Sequence, residues 1–363
     1  MQKIYNFSAG PSTLPEYVLI KARENLLSYK NTGQSVMEMS HRSNEFLEIL
    51  NNCETLLKDV LNVPKNYKVL FLQGGASTQF SMIPMNLMNK NNKADFILSG
   101  YWSEKAFKEA SKFGKTSIVA SSKKENYKMI PKIHEENLSQ NADYLHFCYN
   151  NTIYGTRFHK IPIHKKNIPL VCDISSFIAS EPLDISEFDL LYAGAQKNLG
   201  IAGLTIVILK DDLPFKINDF TPTMMSYKTH IEKNSMYNTP PCFAIYICML
   251  VLEWIKYEMG GLLKIKEINH KKANLIYDYL DNSKIFNSFA NKQDRSTTNI
   301  VFTSHNKTVD ENFINFAFKS GLINLKGHRE LGGMRASIYN GMPLSGVKKL
   351  LEVMHNYEKG VNF

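Results

Sequence analysis

The 363 residues are 44% hydrophobic and carry a net charge of +9 at pH 7, which describes an ordinary globular protein with core enough for two domains. The basic excess is scattered in pairs such as Lys123-Lys124, Lys165-Lys166 and Lys271-Lys272, with no long basic block and no nucleic-acid motif, so a nucleic-acid binder is set aside. The longest apolar run, 242–252, is stopped by Glu253 and is too short to span a bilayer, so it reads as a buried helix.

The five cysteines (Cys53, Cys148, Cys172, Cys242 and Cys248) show no metal-ligand spacing. They read as reduced core residues, and no metal is expected. At the N-terminus there is no basic head followed by an apolar core, so no secretory signal is expected and a cytoplasmic location is inferred. The segment Asn6-Phe-Ser-Ala-Gly-Pro-Ser-Thr-Leu-Pro15 is rich in turn formers and reads as an ordered arm. A helix is expected over 15–29. A connector over 38–42 then carries His41 and Arg42, and Ser43 reads as an N-cap. In the helix that follows, Phe46, Ile49, Leu50, Cys53, Leu57, Val60 and Leu61 recur at helical spacing, and Pro64 ends it.

A strand over 69–72 runs into Gln73-Gly-Gly-Ala-Ser-Thr78 and a helix over 79–88, where Pro84 introduces a kink. A strand, a glycine pair and a helix start form a phosphate cradle: the backbone comes close, and free N–H groups with the helix dipole favour an anion. Glycines that serve only close packing are the alternative. Strands over 95–98, 116–120 and 144–148 and a helix over 103–113 continue the alternation. Alternating strands and helices predict an α/β fold with a mainly parallel sheet covered on both faces. Trp102 and Thr152 both follow strand ends at one sheet edge. Trp102 could stack on a flat ring there, a core tryptophan being the plainer reading, and Thr152 could donate its hydroxyl.

Two strand ends carry the chemistry. Pro169-Leu-Val-Cys-Asp173 is apolar until its carboxylate, and 190–193 is an apolar run that delivers Gln196 and Lys197 to its C-terminal end before a further strand over 204–209. In open α/β sheets that edge is where ligands sit. A partly desolvated lysine there becomes a competent amine nucleophile. A strand-end lysine with an aspartate upstream on a neighbouring strand is the pairing that pyridoxal phosphate requires, the aspartate keeping the pyridine nitrogen protonated. A solvated lysine and a capping aspartate are the plainer alternatives.

Beyond about residue 255 charged helical sequence takes over, with helices expected over 262–280, 312–319 and 345–357 and strands over 299–303 and 335–339. This predicts a large domain over 16–255 and a smaller α+β domain formed by 1–15 with 256–363. The loop Lys326-Gly-His-Arg-Glu-Leu-Gly-Gly-Met-Arg335 offers Lys326, Arg329 and Arg335 as fixed charges and His328 as a titratable one, suited to carboxylate or phosphate, a solvated basic loop being the plainer alternative.

With those residues in view, the whole chain resembles the phosphoserine aminotransferases, class V members of the fold-type I pyridoxal phosphate enzymes. The likeness is carried by Asn6-Phe-Ser-Ala-Gly-Pro11, Met39-Ser-His-Arg42, Leu72-Gln-Gly-Gly-Ala-Ser77, Gly100-Tyr-Trp102, Asn151-Thr-Ile-Tyr-Gly155, Gly194-Ala-Gln-Lys-Asn198, Tyr237-Asn-Thr-Pro-Pro241, Lys326-Gly-His-Arg329 and Gly332-Gly-Met-Arg-Ala-Ser337. The resemblance implies a homodimer with a seven-stranded sheet in its large domain. Lys197 would hold pyridoxal phosphate as a Schiff base, Asp173 would pair with the pyridinium nitrogen, Trp102 would stack on the ring and Thr152 would contact it near the ring oxygen. Ala76, Ser77 and Gln196, with Asn238 and Thr239 of the neighbouring subunit, would hold the phosphate. Arg335 would clamp the substrate's α-carboxylate, while His41 and Arg42 with the neighbour's His328 and Arg329 would receive its phosphate or glutamate's side-chain carboxylate. Some family members have arginine where Ser77 stands.

The implied reaction moves the amino group of L-glutamate to 3-phosphohydroxypyruvate. A cysteine desulfurase-like enzyme of the same fold needs a nucleophilic cysteine near the C-terminus, and no cysteine follows Cys248. A non-enzymatic basic binding protein is the rival of a different class.

Overall fold

The computed structural model describes residues 4–88, 90–215 and 220–360. Its centre is a seven-stranded sheet in the order Tyr67–Leu72, Thr205–Lys210, Leu190–Gly194, Leu170–Asp173, Tyr144–Cys148, Lys93–Leu98, Lys115–Ser121. Thr205–Lys210 runs antiparallel to both its neighbours; every other pairing is parallel. The expected mainly parallel α/β sheet is therefore present. The one reversed strand returns the chain directly from the Lys197 turn, where Gly200 and Gly203 have φ of 149° and 103°, without a crossover helix.

Alternate residues of each strand face opposite layers. Leu70, Phe96, Val171, Tyr192 and Val207 pack with Phe80 and Ile83 of the helix Gly75–Leu87. Phe71, Ile97, Cys172, Leu191 and Ile206 pack with the helices Asn44–Val60 and Cys242–Glu253 on the other side. The apolar run 242–252 is thus the buried helix expected. Ser43 caps Asn44–Val60 by accepting from the Phe46 amide at 3.3 Å, as its position predicts.

A second core joins the helices Leu262–Asn282, Lys307–Lys319 and Leu344–Gly360 to a three-stranded antiparallel sheet of Asn287–Ser288, Asn299–Thr303 and Met334–Ser337. The N-terminal arm belongs to this core. Tyr5–Asn6 pairs in parallel with Leu322–Ile323, and Phe7 is fully buried among its apolar residues.

Several boundaries differ from the sequence reading. The first helix is Glu16–Glu24 rather than 15–29. The chain then turns so that Tyr29 buries edge-on against Tyr246, ring centroids 5.7 Å apart. The helix expected from 79 begins at Gly75, because Gly74 and Gly75, at φ of 88° and 68°, turn the strand straight into it. At Gly74 a Cβ would stand 2.0 Å from Thr78 Oγ1, which donates to the Gly74 carbonyl. Lys307–Lys319 begins five residues earlier than expected, where the Asn306 side chain accepts from the amides of Thr308 and Val309. A π-helical turn over Trp254–Glu258 was not signalled in the sequence. No helix among the described residues is long and apolar enough to cross a membrane.

Candidate active site

The parallel strands release their loops at one edge of the sheet. Chain order reverses between Lys93–Leu98 and Tyr144–Cys148, whose loops leave toward opposite sides, and a crevice opens there. It is a cavity of about 130 Å³ lined by Gly75, Ala76, Ser77, Trp102, Cys148, Asn150, Thr152, Asp173, Ser175, Ser176, Gln196 and Lys197. Each residue enters from the end of a strand or the first turn of the helix after it. Seven residues singled out in the sequence are therefore brought together: Ala76, Ser77, Trp102, Thr152, Asp173, Gln196 and Lys197.

Lys197 donates from Nζ to Thr152 Oγ1 at 2.9 Å. Burial, with the nearby charge of Arg335 acting in the same sense, brings its pKa down to about 8 against the opposing pull of Asp173. A substantial fraction of the amine is then neutral near physiological pH. The backbone around it is held by the N-terminal arm. Ser12 Oγ donates to the Lys197 carbonyl at 2.5 Å, and the Ser12 amide donates to the Gln196 carbonyl at 3.0 Å. At Gly10 a Cβ would come within 3.3 Å of the Gln196 side chain.

Asp173 is buried at the end of its strand. Burial raises its carboxyl pKa, offset in part by Lys197, Ser175 and Tyr192. The Ser175 amide donates to Asp173 Oδ1 at 2.8 Å, and Ser175 Oγ accepts from the Gly194 amide at 3.2 Å, tying the Asp173 and Lys197 strands together. Arg335 reaches the same place from the second sheet. Its Nη1 donates to the Thr152 carbonyl at 3.4 Å, and burial lowers its pKa. Asn150 joins the two cores, donating to Asn299 Oδ1 at 2.9 Å and Ser176 Oγ at 2.8 Å.

The remaining candidates stand apart from this cavity. His41 is half-buried and Arg42 exposed on the turn before Ser43. His328 lies against Tyr101 of its own chain, ring centroids 5.5 Å apart, one residue from Trp102, and burial lowers its pKa. Arg329, Asn238 and Thr239 are exposed; the Thr239 carbonyl accepts from Gln73 Nε2 at 2.8 Å. Sequence reading missed Ser175, Ser176, Asn150 and the cavity-facing role of Cys148, which it placed in the core. Ser175-Ser176 directly after Asp173 was the available signal. The arm's role in seating Lys197 was legible only as the turn-forming run 6–15.

These groups fit pyridoxal phosphate. The helix Gly75–Leu87 offers the amides of Ala76 and Ser77 beside glycines that leave the backbone open to a phosphate. The same cavity holds a buried carboxylate and an amine of lowered pKa. Trp102 lines the cavity, and its Nε1 has no hydrogen-bond partner among the described residues.

The model of the family described as aminotransferase class-V matches residues 4–350. The chain belongs to the class-V aminotransferases. Within them it falls with the phosphoserine aminotransferases. It is 51% identical over 358 residues to the phosphoserine aminotransferase of Bacillus cereus, covering 99% of each chain. A solved phosphoserine aminotransferase studied for radiation damage of its Schiff base superposes with a TM-score of 0.96 at 44% identity, over 99% of this chain and 100% of the other. The pyridoxal phosphate-bound enzyme of Trichomonas vaginalis gives a TM-score of 0.91 at 34% identity, over 97% and 100%. This class-V aminotransferase is thus a pyridoxal phosphate-dependent enzyme of fold-type I.

Proposed function

We propose that the enzyme transfers the amino group of L-glutamate to 3-phosphohydroxypyruvate, giving O-phospho-L-serine and 2-oxoglutarate, and so acts in serine synthesis. The observation that carries this is the Lys197–Asp173 arrangement in one cavity at the sheet edge, supported by relatives of about half identity along the whole chain that bear the phosphoserine aminotransferase name. We read the enzyme as cytoplasmic and as a homodimer with shared sites. Residues 16–255 form its large domain, and 1–15 with 256–363 form the small one.

Bound, pyridoxal phosphate supplies an electron sink for the pair left when an amino acid's Cα–H bond breaks. Lys197 would hold the group and then, as a neutral amine, take the Cα proton and return it on the other side of the exchange. Its lowered pKa suits that task at neutral pH. Asp173 would keep a proton on the ring nitrogen. Trp102 would cover the ring and exclude water, and Thr152 would orient the group from its edge. Ala76, Ser77 and Gln196, with Asn238 and Thr239 of the neighbouring subunit, would hold the phosphate.

Arg335 would fix the substrate carboxylate bidentately. His41 and Arg42, with His328 and Arg329 of the neighbour, would hold the dianionic end of the substrate. The chemistry also accommodates the phosphorylated keto acid that gives 4-phosphohydroxythreonine in vitamin B6 synthesis. A coupled glutamate assay run with both phosphorylated keto acids decides the matter. Turnover of 3-phosphohydroxypyruvate is expected, and turnover of neither acceptor would overturn the proposal.

A further inference from the structure

Beneath Asp173 lies a buried polar pair that the reaction outlined above does not use. Tyr192 is the register partner of Asp173 on the adjacent parallel strand, so both side chains leave the same face of the sheet. His146 stands two residues before Cys148, which pairs with Asp173 on its other side. It therefore shares that face. Tyr192 Oη lies 2.8 Å from His146 Nε2, and the two rings stack with centroids 6.0 Å apart. Both side chains are 1% exposed, out of reach of bulk water.

The proton inventory gives this pair a direction. Burial holds the His146 pKa at about 3, so the ring is neutral and carries one N–H. His146 Nδ1 has no partner among the described residues. A proton on Nδ1 would leave a buried N–H unmet. A proton on Nε2 reaches Tyr192 Oη and leaves only a lone pair unmet, the smaller loss. Tyr192 then accepts from His146 and cannot also donate to it. Its own O–H is then available to Asp173, its register partner on the same face, whose charge acts on the phenol. Burial and then the Asp173 charge keep the phenol protonated, so it stays a donor.

We propose that His146 and Tyr192 form a directed hydrogen-bond chain, His146 Nε2–H to Tyr192 Oη and Tyr192 O–H to Asp173, that holds Asp173 ionised and oriented. Both are positioning residues, acting through Asp173; the inference rests on the reading of Asp173 as partner of the ring nitrogen. The other groups facing Asp173 are the Ser175 amide, the Lys197 amine and the Cys148 thiol, which burial keeps protonated.

The test begins with the tautomer in the cofactor-free wild-type protein. Nitrogen-15 spectra of the histidines, with His146 assigned by difference from His146→Gln, report the tautomer. A neutral Nε2–H ring between pH 5 and 9 is expected, whereas an Nδ1–H ring or an imidazolium overturns the chain. The carboxyl titration is then followed by carbon-13 in aspartate-labelled protein, with Asp173 assigned from Asp173→Asn. Tyr192→Phe removes one donor to a charged acceptor, and the midpoint is expected to rise by roughly one to two pH units. His146→Leu should raise it less, and His146→Gln, which keeps an N–H at similar reach, should restore it. An unmoved midpoint in folded Tyr192→Phe overturns the proposal. Transamination by Asp173→Asn separates the two readings. Wild-type rates in that variant would remove the cofactor role of Asp173 while the titration still decides the chain. Slow rates there, with an unmoved Tyr192→Phe midpoint, would remove the chain alone.

Discussion

The lowered pKa of Lys197 sets a measurable chemistry for the cofactor-free protein. An unperturbed lysine near 10.5 is about one part in 3,000 neutral at pH 7, whereas one at about 8 is roughly one part in eleven neutral, a gain of about 300-fold in free amine. Reductive alkylation with a small aldehyde and cyanoborohydride, read by mass spectrometry of the Lys197 peptide, should therefore show a rate that climbs as pH rises and levels off above about 8. The neighbours set the sign of each variant. Asp173 favours the ammonium, so Asp173→Asn should move the midpoint down. Arg335 disfavours it, so Arg335→Gln should move the midpoint up. A wild-type midpoint near that of the other lysines, or both variants shifting the same way, would refute the electrostatic account of this site.

Three further outcomes follow from the same geometry. Lys272 is fully buried and donates to the carbonyls of Ile338, Tyr339 and Met342 at 3.0, 2.9 and 3.1 Å; Lys272→Met takes a donor from all three, leaving only the Tyr339 carbonyl with its Met342 amide, and should lower stability by roughly 2–4 kcal/mol in urea unfolding, equal or greater stability contradicting it. Loss of Arg42 or Arg329 should weaken phosphorylated substrates by about one to two powers of ten with cofactor binding intact, and an unchanged KM for them would count against these residues. Mixing Lys197→Ala with Arg329→Ala subunits should restore activity to as much as half the wild-type level per heterodimer if Arg329 serves the neighbour's lysine. No recovery, with exchange confirmed by mass, would place Arg329 in its own subunit's site, a real alternative given His328 against Tyr101 of the same chain.

The local signals in the chain were sufficient for the layered α/β architecture and for the heart of the site. Apolar runs that give way to charge, as at Asp173 and just before Lys197, mark buried strands delivering function to one edge, because a charge survives at a buried strand end only where a partner or ligand meets it. Ser43 was legible as a cap because its hydroxyl acts within three residues. Boundaries were less legible where distant contacts decide them. The first helix stops early because Tyr29 finds Tyr246, and a residue more than two hundred positions away leaves no local mark. Only the tertiary structure could add Ser12 to the seat of Lys197, bring Arg335 to Thr152 from the second core, and set His146 under Tyr192. His146 and Tyr192 read in sequence as ordinary members of apolar strands. Their chemistry depends on register between strands, which pairs residues by space, whereas the periodicity visible in a sequence reports only which face each residue takes.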